Sequence, residues 1–277
     1  MYKLNILATF NCNAFMLQKT KNSPGVCAFC FRQTGSIKEP DKNTIKNVIE
    51  KLSLYDVSSP ITITGGEPLI CNEIELLLES LHVKGYDLCV HTNGLLVNEK
   101  IDLLRKYVKY VSLPYDGNCP EIADYYRGEG YYNYQKQAVE ILYKHNINIG
   151  LHTLLTPYNY PFINSMAEEL TSSVYYDKVW YWFIRKFNKY NSALNNNTNE
   201  YELSMEQYEA AVSNIRNKYP SINLFPTPLI KKPTPLFLDL NGNVYYISEA
   251  RKMNICAGNL LTDNADELKI KLSSIEL

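Results

Sequence analysis

Pro60-Ile61-Thr62-Ile63-Thr64-Gly65-Gly66-Glu67-Pro68 holds the pattern that decides the fold. Four successive β-branched residues favour an extended strand, and paired glycines followed by Glu-Pro end it. Glu73–Val83 then brings Ile74, Leu77, Leu78 and Leu81 round at helical spacing. Together they read as one strand-to-helix step. The same step recurs on both sides. Upstream, Lys3–Ala8 is a short strand, and Asp41 or Asn43 caps a helix to about Leu54 with Ile45, Val48, Ile49 and Leu52 on one face. Downstream, Asp87–His91, Tyr110–Leu113, Asn148–Leu155 and Lys178–Phe183 read as strands. Asn98–Arg105, Tyr134–His145 and Phe162–Leu170 read as helices. About six steps of this kind predict an α/β fold with a parallel sheet and right-handed crossovers, curled into an open barrel too short of strands to close as eight. Ligands of such folds gather at the C-terminal strand ends, where the polar features of this sequence also fall.

The barrel is expected over residues 1–187, and 188–277 reads as a linker, helix and cap. Asn188–Glu200 is a polar, Asn-rich linker; Ser204–Lys218 is a helix whose Ser204 and Gln207 have capping-box spacing. Pro226, Pro228, Pro233 and Pro235 punctuate the segment after that helix. Leu236–Asp239 and Val244–Ile247 form a hairpin through Asn241-Gly242-Asn243, expected to cap the barrel and shape its pocket. The composition, 45% hydrophobic and 21% charged over 277 residues, suits a chain with a sizeable core. A net charge of −1 gives no global basic field for nucleic acid. No apolar run of spanning length and no signal-peptide pattern stand in the chain, so the expected location is cytoplasmic with no membrane partner.

Of seven cysteines, Cys12, Cys27 and Cys30 crowd the loop after the first strand, as C-x14-C-x2-C. Cys71, Cys89, Cys119 and Cys256 are scattered and read as plain thiols. Thiolates suit both iron–sulfur clusters and zinc. No Cys or His lies between Cys30 and Cys71, so the local set stops at three. On spacing alone, an iron–sulfur cluster with one open iron, structural zinc completed by a remote ligand, and unrelated thiols all stand.

The whole pattern resembles the radical S-adenosylmethionine (radical SAM) superfamily. Its usual C-x3-C-x2-C motif follows the first strand of a partial (β/α)6, TIM-like barrel. Here the first spacer is longer, with Met16–Gly25 carrying most of the extra residues, while Phe29 before the third cysteine matches. The spacing itself is similar to that of some 7-carboxy-7-deazaguanine synthases, without their usual N-terminal opening. The resemblance implies a [4Fe–4S] cluster on Cys12, Cys27 and Cys30. It also implies an S-adenosylmethionine site at Gly65-Gly66-Glu67-Pro68, where backbone groups and Glu67 meet the methionine amino group. Thr92-Asn93-Gly94 looks like the family's TNG turn beside that site. Ser112, Asp116 and Arg127-Gly128 resemble its S-x-D-G…R-G pattern, with Ser112 and Arg127 directed to the ribose or carboxylate. A guanidinium grips a carboxylate with two parallel bonds, which gives Arg127 its rationale.

Arg185 and Lys186, at the end of the aromatic sixth strand, are candidates to attract an anionic substrate; a solvated charge run is the alternative. His152 is expected as a core histidine with its nitrogens satisfied. Leu238–Tyr245 and Cys256-Ala257-Gly258-Asn259 faintly resemble the tail that holds auxiliary clusters in relatives. Cys256 stands alone there, so one cluster is expected. The implied chemistry is one-electron cleavage of S-adenosylmethionine to a 5′-deoxyadenosyl radical that removes a substrate hydrogen. A flavodoxin- or ferredoxin-type donor would supply the electron. The substrate reads as a small anionic metabolite or nucleotide, with some similarity to viperin-like nucleotide enzymes and GTP 3′,8-cyclases. The alternatives are a maturase of a ribosomal peptide and, in another class, a non-catalytic zinc or iron–sulfur protein.

Overall fold

The computed structural model describes residues 2–14, 27, 29–30, 39–187, 198–226, 235–248 and 253–275. Strands and helices alternate as the sequence reads. β1 is Leu4–Thr9, α1 Lys42–Leu52, β2 Ile61–Gly65, α2 Ile74–Val83, β3 Leu88–His91, α3 Ile101–Tyr107 and β4 Tyr110–Pro114. Next come α4 Pro120–Arg127, α5 Tyr131–Lys144, β5 Asn148–Leu155, α6 Ile163–Ser172 and β6 Val179–Lys186. α7 Met205–Lys218, β7 Leu224–Pro226, β8 Leu236–Asp239, β9 Asn243–Ser248, β10 Met253–Asn259 and α8 Ala265–Ser274 complete the fold. All ten strands join one sheet in the order β10-β9-β8-β1-β2-β3-β4-β5-β6-β7. It is parallel from β8 to β7, and β9 runs the other way, pairing antiparallel with both β8 and β10. The α/β fold with its parallel barrel sheet is therefore as expected.

Side chains two apart on a strand share a face, and the two faces here differ in kind. Ile6, Ile61, Ile63, Leu88, Val90, Val111, Ile149, Leu151, Trp182 and Ile184 are fully buried and pack with Ile45, Leu77, Leu81, Leu142, Met166 and Ile215 of the helices. Each such side chain is worth about 1.5–3 kcal/mol, so this face holds the barrel together. The alternate residues form the interior: Thr62 and Thr64, Cys89 and His91, Ser112, Gly150 and His152, then Tyr181, Phe183 and Arg185. The registers Cys89↔Tyr110, His91↔Ser112, Ser112↔Gly150, Gly150↔Tyr181 and His152↔Phe183 set them side by side.

Side-chain caps account for the starts of α1 and α7. The Asp41 side chain accepts from Thr44 N, and Ser204 and Gln207 form the reciprocal capping box. The structure departs from the sequence reading in several places, among them the strands β7 and β10. α3 starts at Ile101, later than Asn98. α4 and α8 are additional, the latter capped by Asn264, which accepts from Asp266 N and Glu267 N. The expected hairpin forms as β8 and β9 and joins the sheet. β8 lies parallel to β1, from Leu4↔Leu236 to Leu7↔Asp239, and so extends the sheet sideways. Asp239 explains the tight turn: its carboxylate accepts from Asn241 N, Asn243 N, Asn243 Nδ2 and Tyr245 Oη. Cys256 and its neighbours lie in β10. Met16–Gly25, most of the Asn-rich linker, Lys189, Pro228 and Pro233 fall outside the described residues.

Candidate functional site

The glycine pair at the end of β2 sets the position of the first cysteine. Gly65 has φ +134°, and a Cβ there would overlap Thr9 O; one on Gly66 would overlap Asn11 O. Gly66 N donates to Thr9 O and Glu67 N to Asn11 O, both at 2.7 Å. The sequence reads these glycines as room for a ligand. The structure fills that room with the backbone that leads into Cys12. Thr9 is held in turn by Glu39, whose other carboxylate oxygen accepts from Asn72.

Glu67 is wholly buried, and its side chain turns toward the third strand end. Its carboxylate accepts from Thr92 Oγ1 (2.7 Å), Asn93 N (2.6 Å) and Leu69 N (3.1 Å). Burial pushes its carboxyl up to about 7, against the pull of those three donors. Pro68, buried, opens the short 3₁₀ turn beyond it. The TNG turn passes the connection on. Thr92 Oγ1 accepts from Gly94 N, and Asn93 donates from Nδ2 to Asn13 Oδ1 (2.8 Å) and to Cys12 Sγ (3.9 Å).

Arg127 ends α4 and reaches Cys27. Its Nε donates to Asp116 Oδ2 at 2.5 Å and Nη1 to Cys27 Sγ at 3.7 Å. The guanidinium lies 5.1 Å from the Phe29 ring centroid and 5.3 Å from that of Tyr131. The carboxylate that Arg127 grips is thus the chain's own Asp116, which also accepts from Leu154 N. Burial raises the Cys27 thiol above its ordinary range, while the Arg127 charge pulls it down. Cys30 N donates to Cys27 O, which closes the C-x2-C turn. Phe29 sits edge-on to Tyr126 and Tyr201, in a small aromatic cluster with Phe187.

Cys12 and Cys27 therefore meet an amide and a guanidinium, donors that stabilise thiolate sulfur, and Cys30 shares a turn with Cys27. Among the described residues no three His, Cys, Asp or Glu side chains converge on a single-ion position. The donor set fits a thiolate-held cluster with one ligand position left to a small molecule. Asn93 and Arg127 each touch a cysteine through a group that sequence spacing alone could not place.

Ser112 lies inside the barrel in register with His91 and Gly150. It is buried, and its hydroxyl makes no hydrogen bond of good geometry. Arg185 and Lys186 part company, because successive strand residues face opposite ways. Arg185 stands in the barrel mouth, exposed to solvent yet surrounded by protein, 4.9 Å from the Phe183 ring centroid. It has no carboxylate partner among the described residues, and desolvation lowers its pKa. The His152 ring stacks on Phe183, and its Nε2 lies 3.3 Å from Tyr181 Oη. It lines the interior and is not sealed in the core as the sequence suggests. Sequence reasoning missed Tyr181, Gly150, Tyr131 and the interior role of His91. Only strand register, which no local signal encodes, brings the first two together with His91.

The family model described as the Radical SAM superfamily matches residues 18–169, more than half of the chain. The chain belongs to the radical SAM superfamily, enzymes that use a [4Fe–4S] cluster and S-adenosylmethionine. An uncharacterized protein of Methanocaldococcus jannaschii is 26% identical, across 90% of this chain and 88% of its own. One of Methanothermobacter thermautotrophicus is 28% identical, across 52% of this chain and 58% of its own. The 7-carboxy-7-deazaguanine synthase of Neisseria meningitidis is 35% identical over 29% of this chain and 38% of its own. Among solved structures, anSMEcpe with bound AdoMet superposes with a TM-score of 0.72 at 16% identity, covering 96% of this chain and 80% of that one. Streptococcus suis SuiB bound to precursor peptide SuiA gives 0.67 at 13%, covering 88% and 58%. At such identities the likeness is one of fold. No helix among the described residues is long and apolar enough to cross a membrane.

Proposed function

We propose that this enzyme removes a hydrogen atom from a small anionic substrate, a metabolite or nucleotide, held inside the barrel by Arg185. The observation that carries this reading is the guanidinium in the barrel mouth, which has no carboxylate partner among the described residues. A solvent-accessible guanidinium without a carboxylate is free to grip an incoming anion with parallel hydrogen bonds. Cys12, Cys27 and Cys30 hold the cluster, and the Gly65–Pro68 segment with Thr92, Asn93, Ser112 and Arg127 borders the S-adenosylmethionine site. Bound there, these cofactors supply the hydrogen-abstracting chemistry. The residues of the chain do the positioning. Asn93 and Arg127 fix Cys12 and Cys27, Glu67 locks the TNG turn, and the Phe29 cluster ties the C-x2-C turn to α4. A one-electron donor of the flavodoxin or ferredoxin type completes the scheme.

Anaerobic reconstitution followed by mass spectrometry of products, with nucleotide and metabolite pools against short peptides, tests the reading. Turnover within the anionic small-molecule pool is the expected result. Turnover of peptides alone would replace it with the peptide-maturase reading. A colourless protein holding stoichiometric zinc would refute both.

A further inference from the structure

Tyr181 crosses the barrel interior because position 150 is glycine. A Cβ on Gly150 would overlap the end of the Tyr181 ring, so the phenol lies where a side chain of β5 would otherwise stand. Its hydroxyl thereby reaches His152 Nε2 at 3.3 Å, His91 Nε2 at 3.5 Å and Cys89 Sγ at 3.9 Å, and lies beside the buried Ser112 hydroxyl. The two imidazole centroids are 4.4 Å apart, at 66°. These residues come from β3, β5 and β6, and none of them takes part in holding the cysteines.

A hydroxyl carries one proton and two lone pairs. It can donate to only one imidazole, so the second contact is a hydrogen bond only if that imidazole donates to the hydroxyl. The accepting ring then carries its proton on Nδ1, and the donating ring carries a lone pair there. Neither Nδ1 has a partner among the described residues. We propose that His91, Tyr181 and His152 act as one unit in which the hydroxyl holds the two imidazoles in opposite tautomers, presenting the substrate with one donor beside one acceptor. A lactam or amide edge, N–H next to C=O, is the complement of that pattern. With Arg185 above, the interior would select an anion bearing a lactam ring edge. This deepens the small-anion reading and rests on the interior being the substrate site.

Both rings are kept neutral, as the scheme needs. Burial, with the Arg185 charge, pushes His91 down to about 3. Burial, then His91, Arg185 and Arg127, hold His152 well below the usual histidine range. Burial drives Cys89 up to about 12, so it stays a neutral thiol.

The chain has four histidines, so ¹⁵N spectra of selectively labelled holoenzyme are simple to assign with His91→Gln and His152→Gln. At pH 7 one of the two rings should be protonated on Nδ1 and the other on Nε2. Tyr181→Phe should erase the difference. Identical tautomers in the wild type, or an unchanged pair in Tyr181→Phe, would overturn the proposal. Binding of four probes adds a second measurement that needs no spectra. Uridine and guanosine 5′-monophosphates carry the lactam edge; their N3-methyl and N1-methyl derivatives, respectively, have lost its N–H. The first pair should bind at least ~10-fold more tightly, because mismatched polar groups are strongly rejected. Tyr181→Phe and Gly150→Ala, which displaces the ring without touching any polar group, should both abolish that preference. Equal binding, or no binding by any of the four, overturns the lactam assignment. A preserved preference with affinities unmoved by Arg185→Gln would instead sink the anion reading and leave the tautomer unit standing.

Discussion

The cysteine rim and the barrel interior lie on the same strands and use their polar groups in opposite ways. At the rim, the chain closes its own circuits. Glu67 is engaged by three donors, Arg127 by Asp116 and Cys27, and Asn93 by Asn13 and Cys12. In the interior, Arg185 has no carboxylate and two imidazoles keep a nitrogen unused among the described residues. A rim that satisfies itself is rigid before any cofactor arrives, which is what a site for fixed ligands requires. An interior with open valences is built for something that comes and goes. The contrast also separates cofactor residues from substrate residues, a division that sequence order blurs.

The sharpest way to break the contrast is at Cys27. Cys27→Ala should abolish both iron uptake, otherwise about four atoms per chain, and cleavage of S-adenosylmethionine. Iron analysis and 5′-deoxyadenosine release measure this. Retained iron would show that the rim is not the cluster site. Glu67 gives the next largest effect. Its folded pKa is raised, so the native state binds the proton more tightly than the unfolded chain. Its contribution is fully present below the unfolded value and drains away as pH rises through about 7. The span corresponds to roughly 3 kcal/mol. Chemical denaturation of wild type and Glu67→Gln at pH 5 and 8 should show the wild type losing more on that rise; parallel curves would count against it.

Arg185→Gln should weaken anion binding by about 10–100-fold, the scale of one charged hydrogen bond. Uncoupled cleavage of S-adenosylmethionine, a property of the rim, should not change. A variant that lost both would show the two regions to be one. The smallest effect serves as calibration. Ser204→Ala removes the cap of α7, which contacts neither the cysteines nor the interior histidines, and should cost about 1 kcal/mol in thermal unfolding without altering either activity.

Much of the fold could be read in the chain. β-Branched runs ending in glycine, and helices with clear apolar stripes such as Ile45-Val48-Ile49-Leu52, carry local signals strong enough to place them. The capping box at Ser204 and the hairpin turn at Asn241-Gly242-Asn243 are equally local. What escaped was relational. The hairpin is legible as an element, but nothing in it says that Leu236 pairs with Leu4. Cys12, Cys27, Glu67 and Asn93 stand out by motif. Their mutual hydrogen bonds do not, because these depend on where strand ends meet. His91, Gly150 and Tyr181 are scattered along the chain and join only through the registers of β3 to β6.

The separate anchoring of Cys12 and Cys27 bears on how such a motif can evolve. One is placed by the ends of β2 and β3, the other by the last residue of α4. The number of residues between them therefore does not set their separation in space. The entropy cost of closing a loop grows by only about 0.6 kcal/mol per doubling of its length. The step from the family's three residues to the fourteen found here spans little more than two doublings. With both ends pinned by other elements, this stretch is free to change in length and content, a place where new specificity can be tried while the iron ligands stay put.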